Sequence, residues 1–189
     1  KLTGGVPIVP VWGSTETLGV ALANRPGNVK PRSMGKPCPH YKVEILSENG
    51  SPAAVGETGE MVVSGPAVCA CYLDNRSETG KHLRKNRFFT GDYVKEDKDG
   101  FFFFAGRQNR MMKVAGLKVS PVEIEETISL CPGVAEVAVV PASHRSHAET
   151  PRAVIVPHNG KTVSEKNIRK HCELLLAKHK IPRVIEFVD

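Results

Sequence analysis

The stretch from residue 88 to residue 125 constrains the fold of this chain more than any other. It reads FFTGDYVKEDKDGFFFFAGRQNRMMKVAGLKVSPVEIE. Two β-prone runs, residues 93–95 and 101–105, are separated by a polar segment that ends in Asp-Gly, which predicts a β-hairpin. Antiparallel pairing of the two runs would bring Asp92, in a Thr-Gly-Asp turn before the first run, next to Arg107, which follows the second.

A carboxylate and a guanidinium that converge in this way suit a polyol joined to a phosphate. Aspartate accepts hydrogen bonds from a pair of hydroxyls, and arginine forks onto phosphate or sugar oxygens. The alternative is that Asp92 caps a turn and pairs with Arg107 for structural reasons only, because aspartate is common in turns. The hairpin by itself leaves both interpretations open.

The residues after Arg107 predict a second β segment and a helix. Residues 111–119 are typical of a β-ribbon, and a glycine inside a strand, here Gly116, indicates a bend. Ser120, Pro121 and Glu123 fit the N-cap, N1 and N3 positions of a helix, which makes a capping box with a preset first turn.

Residues 1–11 predict a loop that runs into a buried strand. A segment rich in small and hydroxyl residues follows, Trp12-Gly13-Ser14-Thr15-Glu16-Thr17. Such a loop after a strand exposes backbone groups that can take up phosphate or adenine. A plain exit from a strand is the competing interpretation.

The rest of the chain alternates between predicted strands and helices. The predicted strands cover residues 42–46, 61–64, 134–140, 152–157 and 184–188. The predicted helices cover residues 77–85, residue 120 to near residues 132–133, and residues 164–180. In the last helix the spacing of apolar residues places four side chains inward, Ile168, Cys172, Leu175 and Leu176. From about residue 108 onward the order is ribbon, helix, strand, strand, helix, strand.

Taken together, these motifs resemble the adenylate-forming superfamily of acyl- and aryl-CoA synthetases, luciferases and peptide-synthetase adenylation domains. The resemblance rests on the ordered series WGSTET, TGD, GR, KVAG and SPVEIE. It implies an α+β fold in two parts. Residues 1–107 would be the β-rich C-terminal part of the large AMP-binding domain, and residues 108–189 the small mobile C-terminal domain, truncated before its terminal lysine.

The resemblance also implies roles for individual residues. The nucleotide-binding group would be Trp12, Gly13, Ser14, Thr15, Asp92 and Arg107, with Asp92 and Arg107 on the ribose and Thr15 on the α-phosphate. The catalytic group would be Thr15, Glu16 and Lys113, and Glu16 would also help to hold Mg²⁺. Gly116 and Lys118 would line the channel for coenzyme A.

The hinge between the two domains would lie at Asn109, where the family usually has aspartate or lysine. Asparagine tolerates the left-handed region of backbone angles, which suits a hinge. Cys71-Tyr72 stands where the family commonly has Gly-Tyr, which affects only a local turn. The family's phosphate loop and its lysine in a Gly-Lys segment have no match here. We therefore expect a C-terminal piece whose enzyme also needs its N-terminal part, and we expect the piece alone to be inactive.

The activity implied is that of an ATP-dependent acid–thiol ligase acting on a small carboxylic acid, fatty or aromatic. The acid would be adenylated with ATP and Mg²⁺ and then transferred to coenzyme A. An adenylation domain that loads a carrier protein is the alternative. Such domains usually read QVKIRG and ELGEIE where this chain reads MKVAG and VSPVEIE, and this difference favours coenzyme A. A luciferase-like oxygenase and an α+β interaction module without enzymatic activity are further alternatives.

Composition and charge narrow the classes of molecule that this chain can bind. The net charge of +6 admits a polyanion, but the basic residues are dispersed apart from residues 81–87 and have no interleaved aromatic residues. This favours nucleotides and CoA over nucleic acid. No apolar run approaches the roughly 18 residues that a membrane span needs. Five cysteines form no even framework, which fits a reducing, cytoplasmic compartment.

Overall fold

The computed structural model describes residues 6, 8–143, 149–159 and 163–188. The chain divides into two compact units, Lys1–Gln108 and Asn109–Asp189. Each unit has its own cluster of buried apolar side chains. The fold is mixed α+β, as the sequence predicts.

The first unit is built on one antiparallel sheet of eight strands. The strands are β1 (Val11–Ser14), β2 (Gly19–Ala23), β3 (Ser33–Pro37), β4 (Lys42–Leu46), β5 (Thr58–Ser64), β6 (Leu83–Arg84), β7 (Arg87–Glu96) and β8 (Phe102–Arg107). Their spatial order is β1-β2-β3-β8-β7-β5-β4, and β6 pairs with β7 off this path. A short helix, α1 (Arg76–His82), precedes β6.

The buried apolar side chains of this sheet fix its register. They include Ala21, Leu22, Met34, Ile45, Met61, Val63, Val94 and Phe102. Because side chains alternate between the two faces of a strand, a slip of one residue would turn this set toward water. Each fully buried large apolar side chain stabilises the fold by about 1.5–3 kcal/mol. The packing therefore determines which residues of β7 and β8 face each other.

The predicted hairpin is confirmed as β7 and β8, both longer than the runs that indicated it. At its tip the Asp97 carboxylate accepts hydrogen bonds from the backbone N–H groups of Asp99 and Phe101, each at 3.0 Å. Gly100 has a φ of 80°, which favours glycine. Lys30 forms ion pairs with both Asp97 and Asp99. The tip is thus closed locally and also held by the segment before β3.

The predicted loop at residues 12–17 is wrong in its first half. Trp12, Gly13 and Ser14 belong to β1, which pairs with β2. A 3-10 turn, Thr15–Thr17, follows. The preceding residues are not a buried strand either, since Val6 and Ile8 are 68% and 71% exposed. Pairing with β2 provides hydrogen-bond partners for the backbone groups of residues 12–14, which the sequence interpretation placed in an exposed loop.

Helix α1 is shorter than predicted. Its N-cap is Asn75, whose side chain accepts a hydrogen bond from the N–H of Glu78 at 3.1 Å. It ends at His82 because the next two residues pair with β7 as β6. Lys85 and Asn86, with φ of 54° and 59°, then make the tight turn into β7.

The second unit follows the predicted order of elements. They are β9 (Met112–Val114), β10 (Leu117–Val119), α2 (Pro121–Ser129), β11 (Val134–Ser143), β12 (Glu149–Pro157), α3 (Glu165–Leu175) and β13 (Val184–Phe187). β11 and β12 are antiparallel, and β13 lies parallel to β12 at the edge of the sheet. Two short 3-10 turns are also present, Gln108–Arg110 at the boundary between the units and Lys178–Lys180 after α3.

Helix α2 begins as predicted. The Ser120 hydroxyl accepts a hydrogen bond from the N–H of Glu123 at 3.3 Å, and Pro121 occupies the first helical position. The Glu123 carboxylate accepts hydrogen bonds from Lys180 Nζ at 2.7 Å. Ile124 and Ile128 are fully buried and pack into the apolar core of this unit.

Two predictions for the second unit need correction. Residues 111–119 are not one bent ribbon but the hairpin β9–β10, whose two-residue turn, Ala115 and Gly116, has φ of 51° and 82°. Helix α3 stops at Leu175 instead of continuing to residue 180. Leu175, predicted to point inward, is 60% exposed at the last helical position, whereas Leu176, in an extended conformation after the helix, is buried.

Candidate functional site

Asp92 and Arg107 are direct partners in the ladder between β7 and β8. Arg107 Nε lies 2.6 Å from Asp92 Oδ1; the carboxylate side chain is 2% exposed and the arginine side chain 59%. Among the described residues Oδ1 accepts no hydrogen bond, so the contact is an ion pair that leaves acceptor capacity on this oxygen. The predicted convergence of the two ends of the hairpin is confirmed.

A bulge in β7 sets the position of Asp92. Between the pairs Val62–Phe89 and Glu60–Tyr93, Met61 alone in β5 faces Thr90, Gly91 and Asp92. The Thr90 hydroxyl donates to the Met61 carbonyl at 2.8 Å and accepts from the Asp92 N–H at 3.0 Å. Gly91 has a φ of 70°. The Thr-Gly-Asp sequence is therefore not a turn between elements, but a bulge of the kind that re-aims a side chain within a strand.

Trp12 contacts the same carboxylate from β1. Its indole Nε1 donates a hydrogen bond to Asp92 Oδ2 at 3.0 Å, and its ring packs against the apolar core. Gly13 explains how β1 comes so close to β2. A Cβ on Gly13 would lie 2.2 Å from the Gly19 carbonyl oxygen and 2.9 Å from Val20 Cα, closer than real atoms approach. Only glycine fits there.

The buried environment of Asp92 disfavours the charged form of its carboxylate. Burial raises the pKa of Asp92 above its ordinary value, and the hydrogen bond from Trp12 and the charge of Arg107 oppose this rise without cancelling it. Desolvated carboxylates beside a specific charge partner are typical of functional sites. The cluster offers an acceptor pair and a partly exposed guanidinium, which can bind hydroxyls and an anionic oxygen together.

The 3-10 turn after β1 is fixed by Thr17, which is fully buried. Its hydroxyl donates to the Gly19 carbonyl at 2.7 Å and accepts from the Ser14 N–H at 3.1 Å. The Tyr41 hydroxyl donates to the Thr17 carbonyl at 2.5 Å. With Thr17 turned inward, Thr15 is exposed and Glu16 is half-buried.

Glu16 has a partner that sequence reasoning missed. The Tyr72 hydroxyl donates to Glu16 Oε1 at 2.6 Å. Burial acts to raise the pKa of Glu16, but hydrogen bonds, that from Tyr72 foremost, outweigh it and hold this pKa below its ordinary value. Burial and the neighbouring carboxylate raise the pKa of Tyr72. The hydrogen bond from the tyrosine hydroxyl favours the ionised form of Glu16 and the neutral form of Tyr72. It therefore lowers the pKa of Glu16 and raises that of Tyr72.

Glu16 is also the residue expected to help hold Mg²⁺. In the described part of the chain, no group of three or more His, Cys, Asp or Glu side chains could hold a metal. Mg²⁺ at nucleotide sites is typically held by one or two carboxylates together with phosphate oxygens. A single half-buried, charged carboxylate fits that arrangement, in which the nucleotide would supply the other oxygens.

The predicted residues of the second unit lie on the hairpin β9–β10. Lys113 and Lys118 are register partners, and both are exposed. A Cβ on Gly116 would meet no atom within 4 Å, so glycine is required there by its φ and not by packing. The hairpin therefore presents its polar residues at the surface of this unit.

Asn109, the predicted hinge, lies in the 3-10 turn Gln108–Arg110 and is exposed. Its φ is not positive. The tolerance of asparagine for left-handed angles is therefore not used in this conformation, and the hinge at Asn109 stays a prediction.

A cleft of about 320 Å³ is present elsewhere in the first unit. It is lined by Ala23, Arg25, Asn28, Lys36, Pro37, Cys38, Pro39 and Phe101. None of the predicted nucleotide-binding residues lines it. Among the described residues, no helix has the length and apolar character required to cross a membrane.

Comparison with known proteins places these observations in a family. Residues 1–73 match the family model described as AMP-binding enzyme, and residues 123–189 match the model of the AMP-binding enzyme C-terminal domain. The chain belongs to the adenylate-forming, AMP-binding enzymes. The similarity is not limited to these two regions, because curated members of the family align with nearly the whole chain.

Two curated members illustrate the similarity. Benzoate–CoA ligase of Thauera aromatica is 36% identical over 189 residues, an alignment that covers 98% of this chain and 36% of that protein. Indoleacetate–CoA ligase of Aromatoleum aromaticum is 33% identical, with 98% of this chain and 37% of that protein covered. The chain thus spans about a third of the length of the adenylate-forming relatives that it matches.

A solved structure of the family agrees in fold. The anthranilate CoA ligase AuaEII, in complex with anthranoyl-AMP, superposes with a TM-score of 0.87 at 34% identity. The match covers 97% of this chain and 36% of that one. That protein carries an acyl-adenylate.

Proposed function

We propose that this chain is the C-terminal part of an ATP-dependent acyl- or aryl-CoA synthetase. The enzyme would convert a carboxylic acid and ATP to an acyl-adenylate and pyrophosphate, and would then transfer the acyl group to coenzyme A with release of AMP. The observation that carries the proposal is the buried Asp92 carboxylate between Trp12 and Arg107. Named relatives that are CoA ligases support it.

The nucleotide would bind along the first unit, residues 1–107 of the proposed large domain. Asp92 would accept hydrogen bonds from the ribose hydroxyls while the exposed part of Arg107 contacts a ribose or phosphate oxygen. Trp12, Gly13 and Ser14 would border the adenine and acyl groups. This arrangement is prebuilt, so binding would require little reordering.

The reaction needs positive charge around the phosphates, since a carboxylate attacks a phosphorus atom that is surrounded by negative oxygens. Mg²⁺ would supply part of that charge, held by Glu16 and by the nucleotide. Thr15, exposed at the same turn, would contact the α-phosphate. Lys113 would contribute from the second unit.

The thiol step would involve residues 108–189 as a small mobile domain. Rotation about Asn109 would exchange one set of groups for another in a single active site, a gating role known for mobile domains. Gly116 and Lys118 would then border the pantetheine channel. The open space around Gly116 is consistent with a ligand passing there. We place the enzyme in the cytoplasm, in the metabolism of fatty or aromatic acids.

The test is pyrophosphate exchange into ATP by the longer protein that carries this chain. The acids would include benzoate, indoleacetate and anthranilate, which appear in the names of the relatives, and straight-chain fatty acids. We expect exchange that depends on the acid and on Mg²⁺, and no exchange with the 189-residue chain alone. Failure of the longer protein to exchange with every acid would contradict the proposal.

The acceptor would be settled separately by offering free CoA and a pantetheinylated carrier protein to enzyme that has already formed the adenylate. We expect release of AMP with CoA. Release with the carrier protein only would favour the alternative function, an adenylation domain that loads a carrier.

A further inference from the structure

The hydrogen bond between Tyr72 and Glu16 joins two segments that are 56 positions apart in the sequence. A second contact runs beside it, in which the N–H of Cys69 donates to the Glu16 backbone carbonyl at 2.9 Å. The segment around Tyr72 is therefore docked on the turn that carries Glu16 by one backbone contact and one side-chain contact.

Tyr72 is itself held in place from the other side. Its backbone N–H donates to the Thr79 hydroxyl at 2.9 Å, and that hydroxyl donates to the Asn75 carbonyl at 2.8 Å. Asn75 is the N-cap of α1. The tyrosine thus connects the start of a helix to the carboxylate, so its hydroxyl lies at a defined position.

We infer that Tyr72 is a positioning residue that orients the Glu16 carboxylate toward a divalent cation bound with the phosphates of a nucleotide. The inference rests on the proposed function, which assigns the cation to Glu16. A flexible glutamate on a three-residue turn would lose rotamer freedom when it binds a metal. A short hydrogen bond to one oxygen removes part of that freedom beforehand, and partners of metal ligands act in this way in other sites.

The competing explanation is that Tyr72 only ties the two segments together. The chain offers a matched control for this possibility. Tyr41 also donates its hydroxyl to the same turn, but to the Thr17 backbone carbonyl at 2.5 Å and not to a carboxylate. Tyr41→Phe and Tyr72→Phe each remove one hydroxyl bound to the turn, and only the second removes one bound to Glu16.

The experiment is calorimetric binding of ATP to the longer protein over a range of Mg²⁺ concentrations, with and without the two substitutions and Glu16→Gln. We expect Tyr72→Phe to raise the Mg²⁺ concentration needed for half-maximal ATP affinity about tenfold, the lower end of the effect of such partners. ATP affinity without Mg²⁺ should not change. Tyr41→Phe should leave the Mg²⁺ dependence at the wild-type value.

A double substitution decides whether the effect passes through the carboxylate. In the Glu16→Gln background, Tyr72→Phe should cause no further change in Mg²⁺ dependence. An equal shift in both backgrounds, an equal shift with Tyr41→Phe, or no shift with Tyr72→Phe would each overturn the inference.

The readout also separates this inference from the proposed function. If ATP binding depends on Mg²⁺ and on Tyr72 but no acid supports pyrophosphate exchange, the positioning role stands and the ligase activity falls. If exchange occurs but Tyr72→Phe binds Mg²⁺ and ATP normally, the ligase activity stands and the positioning role falls. Absence of any ATP binding would overturn both.

Discussion

The hairpin β7–β8 in the first unit and the hairpin β9–β10 in the second both carry residues that the sequence assigns to function, but they hold them differently. Asp92 is buried and fixed by Arg107 and Trp12, and the bulge before it is fixed by Thr90. Lys113 and Lys118 stand opposite each other at the surface. The first arrangement is complete within its own unit, whereas the second presents groups outward.

The two regions also differ in the reason why each requires a glycine. Gly13 is excluded from bearing a side chain by the backbone of β2, and Gly116 is required only by its left-handed φ. In the first unit the backbone packs tightly around Gly13, whereas in the second unit the turn at Gly116 has open space around it. Substitutions at these residues should separate effects on folding from effects on a ligand.

The largest effect should come from Gly13→Ala. Because the added Cβ would lie 2.2 Å from a backbone oxygen, β1 and β2 must move apart. We expect a loss of about 3 kcal/mol or more in the free energy of unfolding of the first unit. Trp12, the sole tryptophan of the chain, reports this in denaturant titrations followed by fluorescence.

The matched variant is Gly116→Asn, since asparagine tolerates left-handed angles. It should cost less than about 1 kcal/mol. Equal destabilisation by the two substitutions would remove the distinction between the two glycines.

The next effect concerns the proposed thiol step. Gly116→Leu in the longer enzyme should slow thioester formation by about a hundredfold or more, because a bulky group would obstruct a pantetheine approaching the turn. Pyrophosphate exchange should stay near normal. Gly116→Asn accepts the same backbone angles with a smaller side chain, so its thioester rate should fall less. Loss of both half-reactions to the same extent would argue against a channel at this turn.

Asp92→Ala should weaken ATP binding by about ten- to a hundredfold, corresponding to about 1.5–3 kcal/mol for a hydrogen bond to a charged group. Asp99→Ala provides the control, because Asp99 is an exposed carboxylate at the tip of the same hairpin, paired with Lys30. Calorimetric titration with ATP measures both. If Asp92→Ala binds ATP with unchanged affinity, Asp92 does not bind the ribose. The description of the fold would not be affected by that result.

The smallest effect should be the pH dependence of stability that Asp92 causes. Its folded pKa is raised above the ordinary value of 3.8, so the unfolded chain loses this proton first as the pH rises. The contribution of Asp92 to stability should therefore decline from pH 3.8 up to the folded pKa and stay constant above it. Asp92→Asn should abolish this decline. Unfolding followed by Trp12 fluorescence at several pH values would reveal it, and a contribution of Asp92 that instead increases as the pH rises through this range would contradict the sign.

Short-range patterns were enough to predict several elements. An Asp-Gly turn between two β-prone runs specified the β7–β8 hairpin, and Ser120 with Pro121 specified the start of α2, because turn and cap chemistry act within a few residues. Antiparallel pairing brings the two ends of the hairpin together, so the approach of Asp92 to Arg107 could be anticipated from the sequence. Their direct pairing also depends on a one-residue register shift between Tyr93 and Val94, which the sequence did not predict.

Other features depended on contacts between distant segments and could only be seen in the tertiary structure. β1 is a strand because β2 approaches Gly13. Helix α3 ends at Leu175, which is exposed, and Leu176 beyond the helix is buried instead. Tyr72 reaches Glu16 across 56 positions. By itself the sequence determined the order of most elements, the approach of the two ends of the β7–β8 hairpin, and the family. The tertiary structure decided which side chains are buried together, because burial depends on long-range packing that no local pattern encodes.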